Sequence, residues 1–160
     1  MHIQRIYLDT SVIGGCCDLE FAQWSNGLMK DFEIGIFKPV ISELVDAEIA
    51  DAPEEVLQKY AELLAIEPEI VELTPQSDDL ASHYLSRKIL TQNYADDAAH
   101  IALATIAEVY VLTSWNFRHI VRLNKIQLFN AVNLELGYKT LQIFSPREVT
   151  VNGNQDNAID

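Results

Sequence analysis

The chain has 160 residues, 49% of them apolar, with 24 acidic against 11 basic side chains and a formal charge of −13. That length supports one domain with its own core, and the composition excludes an intrinsically disordered or disulfide-stapled chain. So large an acidic excess argues against broad nucleic-acid binding, which rests on Lys and Arg; it suits a basic partner or a carboxylate cluster that holds divalent ions.

The N-terminal stretch Met1–Asp9 lacks the layout of a signal peptide. No apolar run approaches the roughly 20 residues that span a bilayer. A soluble, cytoplasmic protein without membrane attachment is therefore expected. Ile3 to Leu8 reads as a first strand, stopping at Asp9-Thr10-Ser11. There Asp9 is either a helix cap or an acid at the carboxyl edge of a sheet. Val12 to Lys30 reads as mostly helical, with Gly14-Gly15 loosening its start. The adjacent Cys16 and Cys17 read as small reduced side chains, because one neighbouring pair is not a disulfide framework.

Ile34 to Phe37 predicts a second strand, closed by Lys38-Pro39, with Pro39 in the first turn of a helix over about 41–51. That helix carries Ile41, Leu44, Val45 and Ile49 on one face, with Glu48 at its margin. A further helix opens at Pro53-Glu54-Glu55 and runs to about Ala65. A short strand follows over 70–73, then a helix from Thr74-Pro75 to about Leu90. Asn93 is the predicted cap of the next, almost wholly apolar helix, which places Asp96 at its third position. Asp97 then lies one step further into a buried helix, where an acid needs a partner or a metal. His100 reads as a hydrogen-bonded packing residue. Val109 to Leu112 is a continuous apolar run, as in buried parallel strands, and ends at Thr-Ser-Trp-Asn116. A helix over 117–130 would stack Arg118, Arg122 and Lys125 into a basic face fit for phosphate. Asn130 to Gly137 reads as a turn, Leu141 to Phe144 as a last strand, and Ser145 to Glu148 as a closing turn.

Strands alternating with helices predict a three-layer α/β/α sandwich around a mainly parallel sheet, as one domain over 1–150 with a disordered tail over 151–160. In that layout Asp9, Glu48, Asp97 and Asn116 can converge at one sheet edge. Their oxygens suit Mg²⁺ or Mn²⁺, and the lack of Cys/His spacing argues against zinc.

Four ordered segments carry a family resemblance: Tyr7-Leu-Asp9-Thr-Ser11, Ile41-Ser42 with Glu48-Ile49, Asp97-Ala-Ala-His100-Ile-Ala, and Leu112-Thr-Ser-Trp-Asn116-Phe-Arg-His119-Ile. Together they resemble the PIN-domain proteins, which include the ribonuclease toxins of VapBC-type toxin–antitoxin pairs. The late segments Val132 to Tyr138 and Ile143 to Glu148 also resemble the end of a PIN subgroup, so the likeness spans about residues 3–149. The resemblance implies a PIN-like fold and a Mg²⁺- or Mn²⁺-dependent endoribonuclease, with an antitoxin partner and a homodimer. It assigns Asp9, Glu48 and Asp97 as the acidic metal ligands. Asn116 stands where many members carry a fourth acid, keeping an oxygen but losing a charge. Ser11 is expected to assist through its hydroxyl, and Arg118 or Arg122 to hold a flanking phosphate of the RNA. Two rivals accompany this reading. One is a PIN-fold binding module with weakened or lost nuclease activity, motivated by Asn116 and the acidic charge. The other is phosphoryl transfer with Asp9 as nucleophile, as in haloacid-dehalogenase-like phosphatases, which need a second Asp where this chain has Ser11.

Overall fold

A computed structural model describes residues 2–155. Its strands are β1 (Arg5–Leu8), β2 (Lys38–Ser42), β3 (Glu69–Val71), β4 (Val111–Thr113) and β5 (Ile143–Phe144). They form one sheet in the order β3-β2-β1-β4-β5, with every pair parallel. The helices are α1 (Thr10–Gly15), α2 (Ala22–Glu33), α3 (Glu43–Ile49), α4 (Glu54–Ala65), α5 (Pro75–Ser86), α6 (Ala95–Ile106), α7 (Leu123–Glu135) and α8 (Pro146–Val149).

Strand alternation sorts the core into two layers, as the pleat requires. Ile6, Leu8, Ile41 and Val111 face α1 to α4, where Leu28, Val45, Ile49 and Leu63 are buried. Tyr7, Val40, Leu112 and Ile143 face α5 to α7 and meet Leu80, Tyr84, Ile101 and Phe129. Both faces of the central strands are therefore covered, which is why β4 continues the unbroken apolar run that starts at Val109.

Several elements lie elsewhere than the sequence suggests. Residues 34–37 turn out of α2, and the strand begins at Lys38. Pro39 sits inside β2 opposite Ile6 rather than opening a helix. It is tolerated there because the ladder to β3 starts only at Val40, leaving that flank open at Pro39. Ile41 and Ser42 close β2, and the Ser42 hydroxyl then caps α3 by accepting from the Val45 N–H. The predicted helix over 117–130 is instead a series of turns followed by α7, which runs on through the region expected to be a turn. Asn133 is why: fully buried, it accepts from the Tyr84 hydroxyl and donates to Thr105, so its polarity belongs to the core.

The start of the expected tail is also ordered. A 3-10 turn over Asn152–Asn154 packs on α2, where a Cβ on Gly27 would fall 2.3 Å from the Gly153 backbone. The fully buried Asp31 carboxylate ties it down, accepting from Thr150 Oγ1 (2.8 Å), Val151 N (2.9 Å), Asn152 N (2.9 Å) and Asn152 Nδ2 (2.7 Å). The rest of that tail, 156–160, lies outside the described residues. No described helix is long and apolar enough to cross a membrane.

Candidate active site

In the strand order, β1 is followed in sequence by β2 on one side, while β4 and β5 lie on the other. The crevice outside the carboxyl ends of β1 and β4 is thus the point at which the order reverses, where open α/β sheets bind their ligands. Two polar segments leave the sheet there. Asp9 follows β1, its N–H extending the ladder to Thr113 O at 3.2 Å. Ser114, Trp115 and Asn116 follow β4.

Asp9 is only 4% exposed. One of its oxygens accepts from the Ser11 hydroxyl and the other from the Ser114 hydroxyl, each at 2.5 Å. Ser11 Oγ in turn accepts from the Trp115 N–H (2.9 Å), and Ser114 Oγ from the Asn116 N–H (2.9 Å). The two serines therefore knit the exits of β1 and β4 together around one carboxylate. Ser11 spends its hydrogen and one lone pair here, so its hydroxyl orders Asp9 against the exit of β4.

Asp97 enters from α6. The helix begins at Ala95 after a 3-10 turn over Gln92–Tyr94, and its cap position is Tyr94 rather than Asn93. Asp97, not Asp96, is therefore at the third helical position. Its Oδ2 accepts from Asn116 Nδ2 at 3.2 Å. The amide of Asn116 has no choice of orientation, because its Oδ1 accepts from the N–H groups of Arg118 (3.2 Å) and His119 (2.9 Å). The oxygen expected to face a metal or its water thus closes the turn after β4, and an N–H donor faces Asp97 instead.

Glu48, on α3, is held by a relay that starts in the core. His100 is 1% exposed and meets Glu48 Oε1 through Nε2 at 2.6 Å. Its Nδ1 shares a hydrogen bond with the Tyr7 hydroxyl (2.7 Å), which shares another with Ser42 Oγ (2.8 Å). Thr10 Oγ1 donates to the same Glu48 oxygen at 2.7 Å. His100 is hydrogen-bonded and packed, as expected; its connection to Glu48 was not legible from the sequence, and neither were the parts of Thr10 and Ser114.

The charges feel one another. Burial raises the Asp9 carboxyl above its ordinary value, opposed by His100 and by the two serine hydroxyls. Asp97 is pushed up to about 6, first by burial, with His100 opposing and Asp9, Glu48 and Asp96 adding repulsion. Burial also works against Glu48, but the hydrogen bond and charge of His100, with Thr10, leave it below the usual range. For His100, burial disfavours the cation, yet Glu48, Asp9 and Asp97 outweigh it and raise the imidazole. The three acids and His100 thus lie within electrostatic reach of one another. Among the described residues no three His, Cys, Asp or Glu side chains stand close enough to form a ready-made metal cage.

No family model matches the chain, and no curated protein does. Among solved structures it is similar to a chain in the crystal structure of VapBC2 from Rickettsia felis bound to a DNA fragment from their promoter. The TM-score is 0.55 at 14% identity, covering 88% of this chain and 98% of that one. The fold is PIN-like. At that identity the likeness speaks for architecture alone, and the chemistry rests on the side chains described above. In this PIN-like frame the acids come from the end of β1, from α3 and from the start of α6, while Asn116 follows β4.

Proposed function

We propose that this chain is a divalent-metal-dependent endoribonuclease, the toxin side of a toxin–antitoxin pair. The observation that carries the reading is the chain of hydrogen bonds that joins Asp9 to Asp97 through Ser114 and Asn116 at the switch point. The donor set fits a hard cation. All its candidate ligands are oxygens, and Mg²⁺ commonly takes one or two carboxylates, completing its shell with water and substrate phosphate. Such a site does not need a three-residue cage. Asp9 and Asp97 would hold the ion, and when bound it supplies an activated water and neutralises charge on the attacked phosphate.

The other residues have roles of their own. Ser11 and Ser114 fix the two oxygens of Asp9, so the carboxylate is preorganised by donors that need not rearrange during reaction. Glu48 is pinned through Oε1 by His100 and Thr10, which leaves its Oε2 to accept a proton from, or orient, an attacking water. Asn116 steadies Asp97. Arg118 or Arg122, both exposed beyond β4, would hold a flanking phosphate of the RNA. The acidic surface suits a basic antitoxin, in keeping with the two-component complex to which the fold is similar.

A second reading, a binding module with lost chemistry, is favoured by one observation: the N–H of Asn116 faces Asp97 where a fourth acid would add charge. Incubating the purified protein with single-stranded RNA in Mn²⁺ separates the two. The nuclease reading predicts cleavage that EDTA stops and that Asp97→Asn removes. Intact RNA with a folded wild-type protein leaves the binding module; cleavage that survives both treatments discards the mechanism.

A further inference from the structure

At the start of α6, near Asp97, lies a small cavity of about 120 Å³, bounded by Lys88, Thr91, Tyr94, His119 and Lys125. It adjoins the reaction site through the chain itself. Tyr94 is the cap residue of α6, three positions before Asp97, and the His119 N–H donates to Asn116 Oδ1. The Tyr94 and His119 rings are in contact, with centroids 3.7 Å apart and planes inclined at 31°.

The charge around this cavity is unlike that of the rest of the molecule. Of the seven cations elsewhere, Arg5, Lys30, Lys59, Arg87 and Lys139 each have a carboxylate partner, Arg147 lies over the Trp24 ring, and Lys38 stands alone among the described residues. Among the described residues Lys88, Arg118, Arg122 and Lys125 have none, although the chain carries 24 acids. Lys125 instead donates to the Ile89 carbonyl, which anchors its ammonium group at the cavity wall and leaves it further donors. The imidazole of His119 is held below its ordinary value by burial and then by Arg118, Lys125 and Arg122, so all three cations lie within its electrostatic reach. Lys88 projects from a left-handed backbone (φ 60°) just past α5, a conformation more natural to Gly or Asn.

We propose that this cavity is a subsite for one nucleotide of single-stranded RNA next to the scissile phosphate, with a phosphate on Lys88 and Lys125 and a base against the Tyr94–His119 rings. Concentrating cations in one place gives an acidic protein a local foothold for a polyanion, and aromatic faces take bases without regard to sequence. The inference deepens the nuclease reading, but binding does not require the reaction to occur.

The experiment is fluorescence anisotropy of a labelled, short oligouridine in EDTA, which prevents metal-dependent cleavage. Lys88→Ala and His119→Ala should each weaken binding about fivefold or more, the lysine variant with a shallower dependence on salt. Lys30→Ala, on the outer face of α2, should bind as wild type does. A duplex of matching length should bind more weakly, because its bases cannot reach the rings. Lys88 is exposed and its side chain has no hydrogen-bond or ion-pair partner among the described residues, so its variant keeps the test valid even if His119→Ala fails to fold. Absent wild-type binding, unchanged affinity in Lys88→Ala, or equal affinity for the duplex overturns the subsite. A protein that binds RNA through Lys88 yet never cuts it in Mn²⁺ refutes the nuclease reading and leaves the subsite standing.

Discussion

Replacing Asp97 with Asn should make the protein more stable, and by an amount that depends on pH. Its carboxyl is raised from 3.8 to about 6 by burial and by neighbouring acids, so the ionised form is disfavoured in the folded chain. Between roughly pH 4 and pH 6 the folded protein retains a proton that the unfolded chain has released, and stability falls as pH rises through that window. A rise of that size corresponds to at most about 3 kcal/mol, and partial exposure of the side chain reduces this to about 1–2 kcal/mol. The amide introduced by Asp97→Asn could still accept from Asn116 Nδ2, so the hydrogen bond need not be lost with the charge. At pH 8 in EDTA, Asp97→Asn should melt roughly 3–8 °C above wild type, whereas near pH 4 the two should nearly coincide. Thermal unfolding followed by circular dichroism at both pH values decides the matter. A variant less stable at pH 8, or a gain equal at the two values, refutes the argument that repulsion and burial at this site cost folding energy.

Other outcomes follow from the same contacts. Asp31→Ala strands the donors of Thr150, Val151 and Asn152 and should cost about 3 kcal/mol; limited proteolysis should then clip the C-terminal end that wild type protects. Gly27→Ala drives a methyl into the Gly153 backbone, which cannot yield as a side chain would, and should lower the urea midpoint by the equivalent of about 1–3 kcal/mol. Asn116→Asp keeps the turn through one oxygen but sets the other against Asp97. It should lose about 1 kcal/mol in EDTA and regain more than wild type does on adding Mn²⁺. Indistinguishable melting curves with and without the ion would count against that reading of Asn116.

Much of this architecture was legible because strand and helix patterns carry through the chain. The fold class followed from their alternation, and Asp9 stands at the carboxyl end of β1 as its neighbours suggest. The boundaries were harder. Ile34 to Phe37 is as apolar as a strand, but pairing with β1 is satisfied by Lys38 to Ser42 instead, a tertiary choice that no local propensity reveals. The 117–130 segment has helical spacing, yet Asn116 spends its side-chain oxygen closing a turn, which delays the helix to Leu123. The three cations expected on one helical face bear on His119 all the same, Arg118 from the turns, Arg122 from the cap of α7 and Lys125 from its first turn. Two features were beyond local reading. Asp31 and residues 150–152 are joined only by the fold, and the Tyr7–His100–Glu48 relay draws on β1, α6 and α3. Asp97 was legible as an acid out of place, since little else on its helix is polar.

In the proposed nuclease, Asp9 and Asp97 together form a seat for a hard cation at the point where the strand order reverses. Isothermal calorimetry with Mn²⁺ on wild type, Asp9→Asn and Asp97→Asn reads that seat without relying on catalysis. Saturable binding by wild type is expected, and its loss in both variants, each still folded. Heats of binding that are absent in wild type, or unchanged when either carboxylate is removed, would contradict it.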